Sequence, residues 1–383
     1  MKNKSKNPTT PWKILTVVLA VALIAVSCAW YFTANQTKDA LNQKAEAEQE
    51  TVSAAETESV QPVAQTQQKR KIIIDTDTGA DDAAALMIAA KDKNVDILGV
   101  TTSEGNVSLD QAVKNALMTL EMAGSDAPVY AGANTTYTGK HRKIFSVFGT
   151  DGMGDQDLIH PTRQAADGNA VDFILDTIKA NPDEVEIIAL GPVTNLALAF
   201  DKDPETMKRV KRYWSMGTTG FGQGNATPVA EFNVYHDAEA YKVFVESGVP
   251  VTVMGLDMMD RDVSFIGDWL DETAKKGGLS AYFAKSFSGL VQFNDKARGE
   301  RIADDPDGTL MACALWDGFV QDTQACHAVV MTGDDDTYGQ VVLYKEDYGY
   351  DTGITFEHYD FNVITKIAGE TFKAKFTSLL EEQ

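Results

Sequence analysis

Twelve residues constrain this chain more than any others: Lys71-Ile-Ile-Ile-Asp-Thr-Asp-Thr-Gly-Ala-Asp-Asp82. The β-branched run Ile72–Ile74 reads as a short buried strand, Gly79 as its turn, and the alanine-rich stretch Ala83–Ala90 as a helix. The strand-to-helix turn therefore carries Asp75, Asp77, Asp81 and Asp82. An open α/β sheet presents such turns at the carboxyl edge of its strands, where ligands bind. Four carboxylates this close must stay in water, hold protons or share a cation. A set of hard oxygen ligands favours Ca2+ or Mg2+ over zinc or copper. Capping of a helix N-terminus would account for Asp81 or Asp82, but not for Asp75 and Asp77 at the strand's end.

Strand-like and helix-like stretches alternate from there on. Asp96–Thr102, Ala127–Ala131, Val185–Leu190, Lys211–Met216 and Val251–Met254 read as strands. Leu109–Ala123, Val171–Ala180, Leu196–Phe200 and Ala238–Ser247 read as helices. Residues 265–300 read as mostly helical and Leu310–Val320 as an apolar helix. Short strands are expected around 327–331 and 340–344, then a last helix over Glu370–Leu380. This alternation predicts an α/β fold, an open, mostly parallel Rossmann-like sheet with helices on both faces. The Gly- and Thr-rich residues 132–160 form a loop long enough to be functional.

A formal net charge of −22 sets the chain against nucleic acid and suits a small neutral or cationic ligand, or a divalent metal. Lys2, Lys4, Lys6 and Lys13 precede the uncharged apolar run Ile14–Phe32, whose length matches a bilayer-crossing helix. The positive-inside rule then places residues 1–13 in the cytoplasm, 14–32 as a transmembrane signal-anchor and the rest outside. Residues 33–68 have the composition of a disordered linker. The functional domain is expected over 69–383, extracytoplasmic and touching the membrane through its N-terminal anchor only. A cleaved signal peptide and lipid attachment at Cys28 are the competing readings. Cys313 and Cys326 fit either an exported disulfide or two buried thiols.

Polar residues recur where strands end. The pieces Asp75-Thr-Asp-Thr-Gly-Ala-Asp-Asp82, Gly105-Asn106, Gly191-Pro-Val-Thr-Asn195, Gly224-Asn-Ala-Thr-Pro-Val-Ala-Glu-Phe-Asn233 and Gly255-Leu-Asp257 stand in that order. Together they resemble the nucleoside hydrolases, the inosine–uridine-preferring nucleoside N-ribohydrolases, over roughly residues 70–380. The resemblance implies the nucleoside hydrolase fold and calcium-dependent hydrolysis of ribonucleosides to ribose and free base, in purine and pyrimidine salvage. It implies Ca2+ held by Asp77, Asp82, Asp305 and the backbone carbonyl of Thr194, with Asp77 also the general base on a metal-bound water. It implies that Asp81, Asn106, Glu231 and Asn233 bind the ribose hydroxyls, that Asn225 reaches the 5′-hydroxyl, and that Met216 packs under the sugar. A homodimer or homotetramer is implied as well.

These residue types suit the chemistry. Cleavage of an N-glycosidic bond passes through an oxocarbenium-like sugar, which a ring of carboxylates and amide oxygens favours. Buried partners for the 2′- and 3′-hydroxyls would be left unpaired by deoxyribose and so reject it. The chain departs from the family pattern at two places. Asp304 stands where a proton-donating His precedes the last ligating Asp, and Phe145–Gly154 lacks the second pocket His. Either Asp304, pressed against Asp305, is then the acid, or an aromatic such as Phe148 stacks on a purine whose ring solvent protonates. The alternative is an extracytoplasmic nucleoside-binding or sensing protein with weak or no catalysis. A phosphatase of the haloacid dehalogenase type also opens on a strand with paired aspartates, but it needs Thr or Val where Gly79 stands.

Overall fold

Ile72, Ile73 and Ile74 are fully buried because the strand that carries them is covered on both sides. Successive side chains of a strand point to opposite faces. Ile72 and Ile74 therefore enter one hydrophobic core and Ile73 the other. The structure, a computed structural model, describes residues 69–381 apart from 142, 143, 145, 348–352 and 357–359. The expected cytoplasmic segment, the anchor at 14–32 with Cys28 and the linker at 33–68 lie outside the described residues, as does His358. Among the described residues no helix is long and apolar enough to cross a membrane.

In chain order the elements are β1 (Arg70–Thr76), α1 (Ala80–Lys91), β2 (Val95–Thr102), α2 (Leu109–Ala123), β3 (Val129–Ala131), α3 (Ala170–Ala180), β4 (Val185–Ala189), α4 (Thr194–Lys202) and β5 (Arg212–Met216). Then come α5 (Phe232–His236), α6 (Ala238–Val245), β6 (Val251–Met254), β7 (Phe265–Ile266), α7 (Gly267–Ala274), α8 (Gly278–Ser286) and α9 (Ser288–Arg298). The chain closes with β8 (Ile302–Ala303), α10 (Pro306–Leu315), β9 (Val320–Val330), β10 (Val341–Tyr344), β11 (Phe361–Ile367) and α11 (Phe372–Glu381). The nine-stranded sheet has the order β10-β9-β11-β6-β5-β4-β1-β2-β3, and β7 pairs with β8 apart from it. Every neighbouring pair from β11 to β3 is parallel, and only β9 and β10 pair antiparallel at one edge. The expected open, mostly parallel α/β sheet with helices on both faces is what the chain forms. One core packs α1, α2, α8, α10 and α11 against the sheet, and the other packs α3, α4 and α6.

Three local expectations change. The helix read over Leu310–Val320 stops at Leu315, because Gly318 takes a left-handed turn (φ 72°) and Val320 opens β9. Strand β11 was not foreseen, although it lies inside the sheet between β6 and β9. Asn362, Thr365 and Lys366 interrupt its apolar run, while Phe361, Val363 and Ile364 are the buried positions. The 231–233 segment is no strand end, since Glu231 caps α5.

The amino edge of the sheet is fastened by one buried acid. Glu186 on β4 takes hydrogen bonds from Arg70 Nη2 (2.7 Å), Trp214 Nε1 (3.0 Å) and Lys211 Nζ (3.1 Å). Arg70 also reaches the carbonyl of Ala314 at the end of α10 (2.6 Å). Although burial opposes its charge, the bonds from Arg70 and Trp214 hold the Glu186 carboxyl down at about 2. A depressed folded pKa contributes stability that is present above the ordinary value of 4.5 and is lost as pH falls toward 2. Glu186→Gln should therefore cost about 2–4 kcal/mol in urea unfolding at pH 7. The cost should shrink below pH 4.5; an equal cost at pH 3 would remove Glu186 from this role.

Candidate active site

β1, β2, β4 and β5 are parallel, so the segments that follow them meet at one edge. The turn after β1 begins α1 at Gly79, whose amide donates to Asp82 Oδ2 (2.8 Å), while Thr76 Oγ1 donates to Asp82 Oδ1 (2.6 Å). Asn106, beyond β2, donates its side-chain amide to Asp82 Oδ2 (3.2 Å) and its backbone N–H to Asp77 Oδ2 (2.5 Å). Asp77 is walled in by backbone. A Cβ on Gly105 would lie 2.1 Å from its Oδ2, and one on Gly191 would lie 2.3 Å from its Oδ1. No other residue fits at either position without moving the carboxylate.

The acids Asp75, Asp77, Asp81, Asp82, Asp305 and Asp307 are all buried. Three of them, Asp81, Asp82 and Asp307, bring ligand oxygens within 4.8 Å of one another. Asp307, the second residue of α10, thus joins Asp81 and Asp82, and the expected Asp305 lies beside them, its charge acting on Asp81 and Asp307. Asp305 is the N-cap of that helix: its Oδ1 accepts the Gly308 N–H (3.0 Å), with Pro306 at the first helical position. Asp305 remains close, because Asp82 and Asp304 both act on it through their charge.

Burial is the leading cause that raises the carboxyls of Asp77, Asp81, Asp305 and Asp307 well above the ordinary range. Repulsion from Asp82 adds to all four, and repulsion from Asp81 adds to Asp307. Burial raises Asp82 as well, but less, since the bonds from Thr76, Gly79 and Asn106 favour its charge. Asp75 is pushed to about 7 by burial. Its Oδ1 is held by Thr101 (2.5 Å) and Asn195 (2.8 Å). Buried oxygens Oδ1 of Asp77, Oδ1 of Asp81 and Oδ2 of Asp305 have no hydrogen-bond partner. Carboxylate-only chemistry, orphaned oxygens and mutual repulsion are what a hard divalent cation relieves, so the residues present fit such an ion.

The other expected residues sit around this floor. Glu231 accepts the N–H groups of Asn233 (2.8 Å) and Val234 (3.1 Å), and burial raises it to about 7. Its charge is felt at Asp77, which brings the segment after β5 to the acidic turn. Asn233 donates to the carbonyls of Leu190 (2.6 Å) and Met216 (3.3 Å), and buried Met216 lies with its sulfur 3.7 Å from the same amide. Asn225 is exposed and accepts the Phe232 N–H (2.9 Å). Thr194 opens α4, and its hydroxyl donates to Asp237 (2.7 Å). Asp304 is partly exposed and takes a hydrogen bond from Ser264 (2.7 Å). Phe148, where the sequence lacks a His, is buried with its ring over Gly79 and edge-on to Phe287.

Sequence reasoning named Asn195 only within the Gly191–Asn195 piece and missed Asp307 and Asp237. Asp307 directly follows the proline at the first position of α10, in the turn that Asp305 caps. Asn195 links Asp75 to the carbonyl of Thr102 (3.0 Å) and the amide of Ala133 (2.9 Å). Only the folded sheet edge brings those partners together. The two described cysteines, Cys313 and Cys326, are both buried free thiols.

Known proteins share this sequence pattern and fold. The inosine-uridine preferring nucleoside hydrolase family matches residues 72–374. The pyrimidine-specific ribonucleoside hydrolase RihB of Escherichia coli is 36% identical over 234 residues, 61% of this chain and 73% of that protein. Uridine nucleosidase 1 of Arabidopsis thaliana is 40% identical over 225 residues, 58% of this chain and 66% of that protein. Among solved structures, the plant nucleoside hydrolase PpNRh1 superposes with a TM-score of 0.74 at 28% identity, covering 82% of this chain and 99% of its own. Fold, sequence match and acidic edge agree: the chain belongs to the inosine–uridine preferring nucleoside hydrolase family.

Proposed function

We propose that this chain hydrolyses the N-glycosidic bond of ribonucleosides, releasing ribose and a free base, with Ca2+ as its metal. The observation that carries this reading is the buried cluster of Asp81, Asp82 and Asp307, with Asp77, Asp305 and Glu231 near enough for charge to act between them. Asp77, Asp82 and Asp305, whose Oδ2 has no other partner, would hold the ion with the Thr194 carbonyl, and Asp307 is a further acid beside them. When bound, such an ion lowers the pKa of water and neutralises the acids around it.

The chain's own groups supply the rest. Asp77 is the general base, held by the Asn106 N–H at one oxygen and free of hydrogen bonds at the other, Oδ1. Asp81, Asn106, Glu231 and Asn233 pair with the ribose hydroxyls. Met216 lies beneath the sugar, and Asn225 reaches its 5′ end. The anionic ring favours the positive charge that develops on the sugar as the bond breaks. Asp304, the partly exposed acid that adjoins the cluster, protonates the departing base. The names of the relatives favour pyrimidine ribonucleosides among the substrates.

A reducing-sugar assay on uridine, cytidine, inosine and 2′-deoxyuridine tests the activity. Ribose release from at least one ribonucleoside is expected, abolished by chelator, restored by Ca2+, and reduced about 10⁴-fold or more for the deoxy substrate. Asp304→Asn should slow the natural substrates while sparing p-nitrophenyl riboside, whose leaving group needs no proton. Failure to release ribose from any of them would remove the reading.

The ligand set is tested separately by calorimetric titration with Ca2+. Asp305→Asn should weaken binding by about 100-fold or more, since it removes the charge behind a buried oxygen that has no other partner. Asp307→Asn, which leaves those ligands in place, should bind Ca2+ within about tenfold of the native chain. The reverse ranking would make Asp307 the ligand and Asp305 a bystander.

A further inference from the structure

Among the described residues four that are not glycine have a positive φ: Asp155, Asp157, Asp183 and Thr218. Aspartate tolerates this left-handed region because its short side chain bonds locally; a β-branched residue does not. Thr218 has φ 69° and is 1% exposed, so it carries real strain in the interior. It stands two residues beyond Met216, at the carboxyl end of β5. Strain of this kind persists only where the surroundings over-determine it, and it gathers at binding sites.

The surroundings here are specific. The Thr218 carbonyl accepts the Leu256 N–H (3.2 Å), tying the end of β5 to the segment after β6. Its hydroxyl accepts the Gly220 N–H (3.0 Å), which fixes the start of the 219–228 loop that carries Asn225. The loop that starts here runs on to Glu231, whose carboxylate accepts the Asn233 and Val234 N–H groups. On one side Gly217 lies against Tyr241, where a Cβ would come 2.7 Å from the phenol oxygen. On the other Gly220 lies against Asp257, whose Oδ2 accepts the Phe221 N–H (2.8 Å). The turn is wedged, and Thr218 is its one strained member.

We propose that Thr218 is a positioning residue for the sugar-binding half of the site: its left-handed turn and its hydroxyl anchor set the course of the loop that carries Asn225 and runs on to Glu231. The inference rests on the ribosidase reading above. It assigns Thr218 to sugar binding and not to the carboxylate floor, which it does not touch through any of these bonds. A glycine would take the same φ without strain. It would lose the hydroxyl anchor, and it would lose the branched side chain that keeps the turn from relaxing.

The test uses the full chain with Ca2+ and compares Thr218→Gly with Thr218→Ser, which keeps the hydroxyl. Thr218→Gly should raise KM for the best ribonucleoside and the Kd for D-ribose by about tenfold while kcat stays within about threefold, the signature of lost uniform binding. Thr218→Ser should stay within about twofold of the native chain in both. Unchanged KM and ribose Kd in Thr218→Gly would overturn the proposal. So would a Thr218→Ser as impaired as Thr218→Gly, or a kcat that falls in step with thermal stability. If the native chain releases no ribose, the ribosidase reading fails, and the role of Thr218 is decided by the ribose Kd of the same three proteins. A native chain that does not bind ribose would end both.

Discussion

Repulsion among buried carboxylates is the constraint on which the rest of this structure depends. Asp77, Asp81, Asp82, Asp305 and Asp307 are withdrawn from water, and the charges that act on them are largely their own. Each carboxyl is raised by burial, and each negative charge raises its neighbours further. Such a cluster survives in a folded protein only by holding protons or by sharing a positive ion. Local hydrogen bonds soften the problem without solving it: Thr76, Gly79 and Asn106 favour the charge on Asp82. Asp77 Oδ1 and Asp81 Oδ1 remain without a partner.

The sheet makes this crowding affordable by placing it at one edge and anchoring the opposite edge. Parallel strands send every strand-to-helix turn to the same side, so residues from four separate segments meet there without long connections. At the amino edge Glu186 gathers Arg70, Lys211 and Trp214, a group in which charge is paired. Between the edges, β1 divides its isoleucines between two cores and holds the acidic turn rigid. The same strand thus supplies the stability and the charge that works against it.

Much of this was legible in the sequence, and the parts that were not share a physical reason. Ile72–Ile74 followed by acids, Gly79 and an alanine run could hardly be anything but a strand, a turn and a helix. The parallel class followed from the alternation of such units. Strand β11 escaped because Asn362, Thr365 and Lys366 interrupt a pattern that only its neighbours β6 and β9 complete. The resemblance implied Asp305, and the helix start engages only its Oδ1, at the Gly308 amide, leaving Oδ2 without a partner. The same helix start carries Asp307 to Asp81 and Asp82, a neighbour no motif announced. The partners of Asn195, and the parts played by Asp237 and Thr218, could not be read, since those partners are distant in sequence or the distinction lies in a backbone angle.

The account's central claim is that protons and one divalent ion compete for the same buried oxygens, and the proton count on Ca2+ binding tests it most directly. Raised carboxyl pKa values mean that the cation-free protein carries protons across the range from the ordinary carboxyl value up to about 7, the value reached at Asp75 and Glu231. Binding the ion must expel protons from the ligating acids, so affinity must rise with pH. Calorimetric titration at pH 5.5 and pH 8, in buffers of different ionisation enthalpy, measures both quantities. The account predicts net proton release at pH 5.5 and an affinity at least about tenfold greater at pH 8. Binding with no proton release and the same affinity at both pH values would contradict it.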